Sequence, residues 1–255
     1  MDGKHVVVTG AAKGIGYAIA ETFANAGASV TLMGRGREGL ELAVDGLKSV
    51  SANVRFVQVD ITDEASVAAG FAEAVEAAGP VEVLVNNAGI SGSAPAHRMT
   101  LDHFDQMMAT NARGTFMCIQ QVLSGMMQAK EGRIINVVST AGLKGYAYVA
   151  GYVAAKHAAM GLTRALALEL APKGITVNAV CPGFVETPMT AVSIANIVEK
   201  TGRTEDEARA ELAALNPQKR LVQPQEVADA CLFLARPDAH SVNGQAIAVD
   251  GGETA

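Results

Sequence analysis

The chain has 255 residues and a formal net charge of −6, with 49% hydrophobic and 18% charged residues. That length suits one large α/β domain or two small ones with a sizeable core, and the composition excludes a disordered chain. The acidic balance gives no electrostatic reason to bind nucleic acid or an anionic membrane, and no apolar run reaches the ~18 residues of a membrane span. Cys118, Cys181 and Cys231 are odd in number and far apart, which suggests neither a disulfide framework nor a metal site. A soluble, cytoplasmic protein is expected.

The first element is a short β-rich run from His5 to Thr9, apolar as a strand covered on both faces is. It meets Thr9-Gly10-Ala-Ala-Lys13-Gly14-Ile15-Gly16, and a helical pattern over Tyr17–Ala26 follows, closed by Gly27. Strand, glycine loop and helix form the context of a phosphate-binding turn: glycines let backbone approach a pyrophosphate, and the helix start supplies free N–H groups and a positive dipole. A tight turn without a ligand would use the same residues. Ser29–Met33 reads as the second strand and Val54–Val59 as the third, ending at Asp60-Ile61-Thr62. Thr62 is the expected N-cap of a helix running to about Ala78, with Asp63 and Glu64 in its first turn.

Gly79-Pro80 breaks the chain before a strand over Val81–Val85, which leads into Asn86-Asn87-Ala88-Gly89. There the side-chain amides could equally fix the loop or line a ligand. Leu101–Lys130 is a Met-rich helical stretch started by Thr100 and interrupted at Asn111 and Gly114, its methionines read as core filler. Arg133–Ser139 is the next strand, with Ser139 at its carboxyl end, the ligand edge of an open parallel sheet. A loop over Thr140–Val149 enters a helix that carries Tyr152 and continues to about Ala171. Ile175–Val180 is a sixth strand, followed by Pro182-Gly183-Phe184-Val185-Glu186-Thr187-Pro188. Met189–Leu215 then interrupts the alternation of strands and helices, with a capping box at Thr204-x-x-Glu207. We expect a substrate lid over residues 187–216. Pro224 opens a last helix and Gln245–Val249 closes the sheet. No repeat or linker divides the chain, so one domain is expected over residues 1–255.

Ser139 with Tyr152-Val-Ala-Ala-Lys156 is the constellation that carries chemistry. A tyrosine and a lysine four apart share one helix face, and a nearby ammonium favours the phenolate. The expectation is a phenol whose pKa is pulled down toward neutrality, able to exchange a proton where a carbonyl becomes an alcohol. Ser139 would hold the same oxygen. The spacing alone also fits a packing tyrosine beside a surface lysine.

The ordered set Thr9-Gly10-x-x-x-Gly14-x-Gly16, Asn86-Asn87-Ala88-Gly89, Asn111, Ser139, Tyr152-x-x-x-Lys156 and Pro182-Gly183 resembles the short-chain dehydrogenase/reductase family over essentially the whole chain. The resemblance implies a Rossmann-type, doubly wound parallel α/β sheet of about seven strands with helices on both faces. It implies that Asn111, Ser139, Tyr152 and Lys156 are catalytic, with Asn111 disturbing its helix to hold a relay water near Lys156. It also implies that Gly10, Lys13, Gly14, Ile15, Gly16, Asp60, Ile61, Asn87, Ala88, Gly89, Tyr152, Lys156, Pro182, Gly183, Val185 and Thr187 bind a nicotinamide dinucleotide. A homotetramer, or alternatively a dimer, follows from the same likeness. At the end of the second strand, where an acid would receive ribose hydroxyls, stands Arg35, whose guanidinium suits a phosphate. With Lys13 it favours NADP(H) over NAD(H).

The function expected is interconversion of a carbonyl and a secondary alcohol, with no metal. Ala141, Leu143 and Val149 stand where a small keto acid would want cations, which points to a hydrophobic or alicyclic ketone or alcohol. Lys144 and His97 are read as solvated loop residues. The alternative is a 3-oxoacyl thioester on coenzyme A or an acyl carrier protein, for which Lys130 and Arg133 near the cleft would have to form a docking patch. A cofactor-binding regulator without chemistry and a methyltransferase are the rivals from other classes. Neither has a use for Ser139, Tyr152 and Lys156 together.

Overall fold

The computed structural model describes residues 1–255. The apolar runs become strands sealed from water on both faces. Every residue of β1 (His5–Thr9), β5 (Gly132–Val137) and β6 (Ile175–Pro182) is buried, as parallel strands between two helical layers must be. With β2 (Ser29–Gly34), β3 (Val54–Gln58), β4 (Val83–Asn86) and β7 (Ala246–Val249) they form one sheet of order β3-β2-β1-β4-β5-β6-β7, parallel throughout. The chain turns outward in opposite directions from β1 and β4, so a crevice opens beyond their carboxyl ends.

One face of the sheet carries α1 (Gly14–Asn25), α2 (Arg37–Leu47) and α9 (Pro224–Ala235), packed through Ile19, Phe23, Leu40, Leu47, Val227 and Leu234. The other carries α3 (Glu64–Ala78), α5 (Gly114–Ala129) and α6 (Ala150–Leu170), through Phe71, Ile119, Met126, Leu166 and Leu170. Met33, Met126 and Met160 are fully buried, filling the core as their flexible thioethers allow. No helix is long and apolar enough to cross a membrane.

Several boundaries differ from the sequence expectation for identifiable reasons. The cap of α3 is Asp63, which accepts from the Ser66 N–H at 3.0 Å. The Thr62 hydroxyl is instead turned back toward the end of β3, donating to Asp60 Oδ1 at 2.7 Å. The stretch around Asn111 is α4 (Leu101–Met108, capped by Thr100), one π-type turn (Ala109–Arg113) and α5. Asn111 Nδ2 donates to the Met107 carbonyl at 3.0 Å, and a side-chain donor inserted into the helical ladder in this way widens the turn.

The interruption after β6 is two helices, α7 (Pro188–Thr201) and α8 (Glu205–Ala214), the second opened by the Thr204–Glu207 capping box. Ile194, Ala208, Leu212 and Leu221 form their own small core, with Ile197 and Val198 against it, while Met189 and Val192 stay exposed. Arg209 on α8 forks onto both carboxylate oxygens of Glu186, tying this helical pair to the loop that follows β6.

Candidate active site

The glycine loop is built by close approach. Asn87 Nδ2 donates to the carbonyls of Thr9 and Gly10, each at 3.0 Å, and the Thr9 hydroxyl accepts from the N–H groups of Asn87 and Ala88 at 3.1 and 3.0 Å. A Cβ at Gly16 would stand 2.3 Å from the Gly10 carbonyl oxygen, and one at Gly10 would stand 2.7 Å from Ala88 Cα. Neither position accepts a side chain. Asn87 therefore has a structural task, binding the β4 turn to the loop.

The loop delivers α1 with its first turn unfilled. No side chain caps the helix, no acid sits in its first turn, and no carbonyl takes the N–H groups of Gly14, Ile15 and Gly16. Such a terminus carries free donors and about half a positive charge. Lys13 and Arg35 stand exposed at this end. Arg37 is committed to Glu41 at 2.8 Å, whereas neither Lys13 nor Arg35 makes an ion pair. Asp60 lies below the usual carboxylate range, held there first by the Thr62 N–H and hydroxyl against the opposing cost of burial, with Arg35 adding a smaller pull. Ile61 is buried, packed against Gly114. Thr187 faces Gly14 across the crevice and caps α7 through the Thr190 N–H at 3.3 Å. Val185 is buried and pairs with Val222.

Beyond β4 and β5 the second half of the cleft converges. Asn111 is buried, its Nδ2 donating to Ile90 O at 3.0 Å and its Oδ1 accepting from the Ile90 N–H at 3.2 Å. Gly89 is the meeting point: a Cβ there would lie 2.7 Å from Asn111 Oδ1 and 3.6 Å from Lys156 Nζ. Ser139 follows the end of β5, its Oγ accepting from the Ala141 N–H at 3.1 Å. Tyr152 and Lys156 occupy the first turns of α6. Lys156 is buried, donates to Val137 O at 3.1 Å, and places its ammonium 5.6 Å from the centre of the Tyr152 ring.

The electrostatics correct the sequence reading. The Tyr152 phenol is not pulled below its ordinary pKa but pushed above it by burial, with a hydrogen bond from Ser139 opposing. Burial also brings Lys156 down to about 8. Its ammonium lies over the ring rather than at the phenolic oxygen, so desolvation outweighs the attraction expected from helix spacing. The site at rest therefore holds a neutral phenol beside a lysine poised near neutrality. Cys181, at the end of β6, is raised to about 11 by burial and is an unreactive thiol.

Two other expectations change. Lys144 is not a solvated loop residue: its ammonium bonds Glu253 Oε1 at 3.1 Å. Lys130 ends α5 and Arg133 lies at the start of β5, so both sit at the amino ends of the parallel strands, away from the crevice. Arg133 is buried besides. They cannot form a docking patch beside Ser139. No spacing in the sequence pointed to Glu253 or Tyr146, although both prove to be tied to the Ser139 turn.

A crevice at the switch point of the sheet, with Ser139, Tyr152 and Lys156 on one wall and an uncapped glycine-loop helix on the other, invites comparison with known proteins. A family model described as enoyl-(acyl carrier protein) reductase matches residues 10–254. The chain belongs to the short-chain dehydrogenase/reductase family. It is 38% identical over 252 residues to the 3-oxoacyl-(acyl-carrier-protein) reductase FabG of Vibrio cholerae, covering 99% of this chain and 98% of that one. It is also 38% identical over 253 residues to the 2-(R)-hydroxypropyl-CoM dehydrogenase of Xanthobacter autotrophicus, covering 98% of each. A crystal structure of an actinorhodin polyketide ketoreductase variant with NADPH superposes with a TM-score of 0.96 at 39% identity, over 98% of this chain and 97% of that one.

The family is one of oxidoreductases that act on carbonyl and alcohol groups and bind NAD(P)(H). The residues present fit such a dinucleotide. The unpartnered N–H groups of Gly14, Ile15 and Gly16 suit a pyrophosphate, and the free cations beside them suit further phosphate charge.

Proposed function

We propose that this oxidoreductase reduces a hydrophobic or alicyclic ketone with NADPH, with NADH as the weaker alternative. The observation that carries the reading is the convergence of Ser139, Tyr152, Lys156 and Asn111 beyond the carboxyl ends of the central strands. Gly10, Lys13 and the first turn of α1 hold the phosphates, Arg35 takes the 2′-phosphate, and Asp60 and Ile61 flank the adenine. Ala88 and Gly89 form the cofactor wall on the β4 side. Backbone of Pro182, Gly183 and Val185 meets the nicotinamide end, with Thr187 on the phosphate side.

A bound nicotinamide would supply the hydride for the carbonyl carbon. The rest is proton work by the chain's own side chains. Tyr152 is neutral at rest, so it holds the proton the nascent alkoxide needs, and it donates that proton to the oxygen. Ser139 donates a second hydrogen bond to the same oxygen and so stabilises charge as it develops there. Lys156 supports the transient phenolate with its ammonium and holds the ribose hydroxyls. Asn111, fixed through Ile90 beside Gly89, anchors the path by which the phenol regains a proton.

The substrate class rests on the walls. Ala141 is buried and offers no apolar surface, but Leu143 and Val149 are half-buried, Met189 and Val192 are exposed, and the one lysine of the loop is consumed by Glu253. Residues 187–216 act as the lid. A second reading, a 3-oxoacyl thioester, is favoured by the 38% identity to the Vibrio cholerae enzyme. We further infer a cytoplasmic homotetramer, for which exposed Leu101, Phe104 and Leu168 supply apolar contact surface.

Turnover of menthone and of acetoacetyl-CoA with NADPH tests the reading. Faster reduction of menthone supports the alicyclic assignment, activity confined to the thioester reverses it, and failure of both with either nucleotide overturns the reading.

A further inference from the structure

The segment after β7 returns to the cleft. Asp250 shapes it, accepting from the Gly252 and Thr254 N–H groups at 2.9 and 3.0 Å and from the Thr254 hydroxyl at 2.6 Å. That turn drives the side chain of Glu253 inward until only 2% of it is exposed. Its Oε1 accepts from Lys144 Nζ and from the Tyr146 hydroxyl. Its Oε2 is buried with no partner and faces Gly183, where a Cβ would lie 3.1 Å away. The Lys144 ammonium also reaches the Glu253 carbonyl at 3.2 Å.

The direction of the hydrogen bonds is fixed by proton count. A carboxylate only accepts, and a phenol has one proton to give. The Tyr146 proton therefore goes to Glu253, and the oxygen of Tyr146 accepts from the Thr140 hydroxyl, 2.7 Å away. Burial and Glu253 both push the Tyr146 pKa upward, so the phenol stays protonated and the chain Thr140→Tyr146→Glu253 keeps one direction. Thr140 is buried and is the residue next to Ser139. The same short turn carries the Ser139 Oγ contact to the Ala141 N–H.

We propose that Glu253 and Tyr146 are positioning residues for the carbonyl reaction, holding through Thr140 the turn that aims Ser139 at the substrate oxygen. The inference rests on the role assigned to Ser139 above. An aliphatic residue at 253 could cover the same surface. A carboxylate held by a lysine and a tyrosine from one loop fixes that loop in direction as well as distance. Misplacing a catalytic hydroxyl by a fraction of an ångström costs rate without touching the nucleotide site.

The test is a mutant cycle in the full-length chain with NADPH and whichever of menthone and acetoacetyl-CoA it reduces. Tyr146→Phe and Glu253→Gln are expected to lower kcat on the order of tenfold, with the NADPH Kd unchanged in Tyr146→Phe, which does not touch Gly183. In a Ser139→Ala background the same substitutions should have less than about a twofold further effect, because their route runs through Ser139. Glu253→Asp should lose more than Glu253→Gln, since a shortened side chain falls away from both Lys144 and Tyr146, whereas the amide keeps one acceptor oxygen at the same reach but loses the charge. Full multiplicative losses in the Ser139→Ala background overturn the positioning role in favour of general destabilisation. Wild-type kcat in Tyr146→Phe and Glu253→Gln, with Ser139→Ala impaired, overturns it while leaving the role of Ser139 intact. Wild-type kcat in Ser139→Ala removes the role of Ser139 and this inference with it.

Discussion

The two walls of the cleft handle charge in opposite ways. On the glycine-loop wall the donors are backbone N–H groups of an uncapped helix, and the nearby cations, Lys13 and Arg35, have no ionic partner. On the β5–α6 wall the cations are spoken for: Lys144 is held by Glu253, and Lys156 is buried against the Val137 carbonyl. An anionic ligand meets unspent positive charge on the first wall. On the second, what can move is the proton of a hydroxyl. The two tyrosines of that wall repeat the contrast on a smaller scale. Tyr146 is locked between Thr140 and Glu253, whereas Tyr152 has Ser139 as its hydrogen-bonding neighbour and keeps its proton available.

The largest expected effect falls on the reactive wall. Tyr152→Phe should lower kcat by about 10³-fold or more while NADPH binds with unchanged Kd. Steady-state rates with a fluorescence titration check both, and a rate near wild type would break the distinction between the walls.

Lys156→Met should separate stability from function. The Lys156 pKa falls from 10.5 free to about 8 folded, so the native state is penalised when the lysine is charged. That penalty is complete below pH 8 and fades as pH rises toward 10.5, where the unfolded chain also loses its proton. The variant should be more stable than wild type at pH 7 by up to roughly 3 kcal/mol, less what the lost hydrogen bond to Val137 O contributes. The advantage should shrink between pH 8 and 10.5. Urea unfolding at pH 7 and pH 10 measures it, and a constant difference would show that burial is not the cause of the low pKa.

On the other wall, Gly16→Ala forces a methyl group to 2.3 Å from the Gly10 carbonyl. It should cost about 1–3 kcal/mol of stability and weaken both nucleotides alike. Urea midpoints and nucleotide titrations follow the two effects. Arg35→Ala should be the mildest, weakening NADPH by about tenfold, or 1.4 kcal/mol, with little change for NADH. Equal losses for the two would make Arg35 a general phosphate or surface residue.

How legible each wall was in the sequence follows from the reach of its determinants. The glycine loop and the Tyr152–Lys156 pair are set by spacings of a few residues, and the structure assembles them at one sheet edge; Asn111 showed in the sequence only as a break in a helix, its role coming from the family resemblance. The strands were equally plain, because burial on both faces demands runs such as Val6-Val7-Val8. Helix α2 is not legible in the same way: Gly39 and Gly46, both poor helix formers, interrupt the buried stripe of Leu40, Ala43, Val44 and Leu47. The Tyr146–Glu253 contact joins residues 107 apart, and a glutamate after two glycines resembles a solvated terminus. The direction of the Tyr152 pKa is not legible, because helix spacing reveals that a lysine is near, not that both groups are dry. Nor is the edge at which Lys130 and Arg133 lie, because strand direction, not distance in sequence from Ser139, decides which edge a residue meets.

The most direct test of the account is a fluorescence titration of the protein with NADPH and with NADH. Binding of NADPH about tenfold tighter, with the margin lost in Arg35→Ala, is the predicted result. Failure to bind either nucleotide would contradict the account at its base.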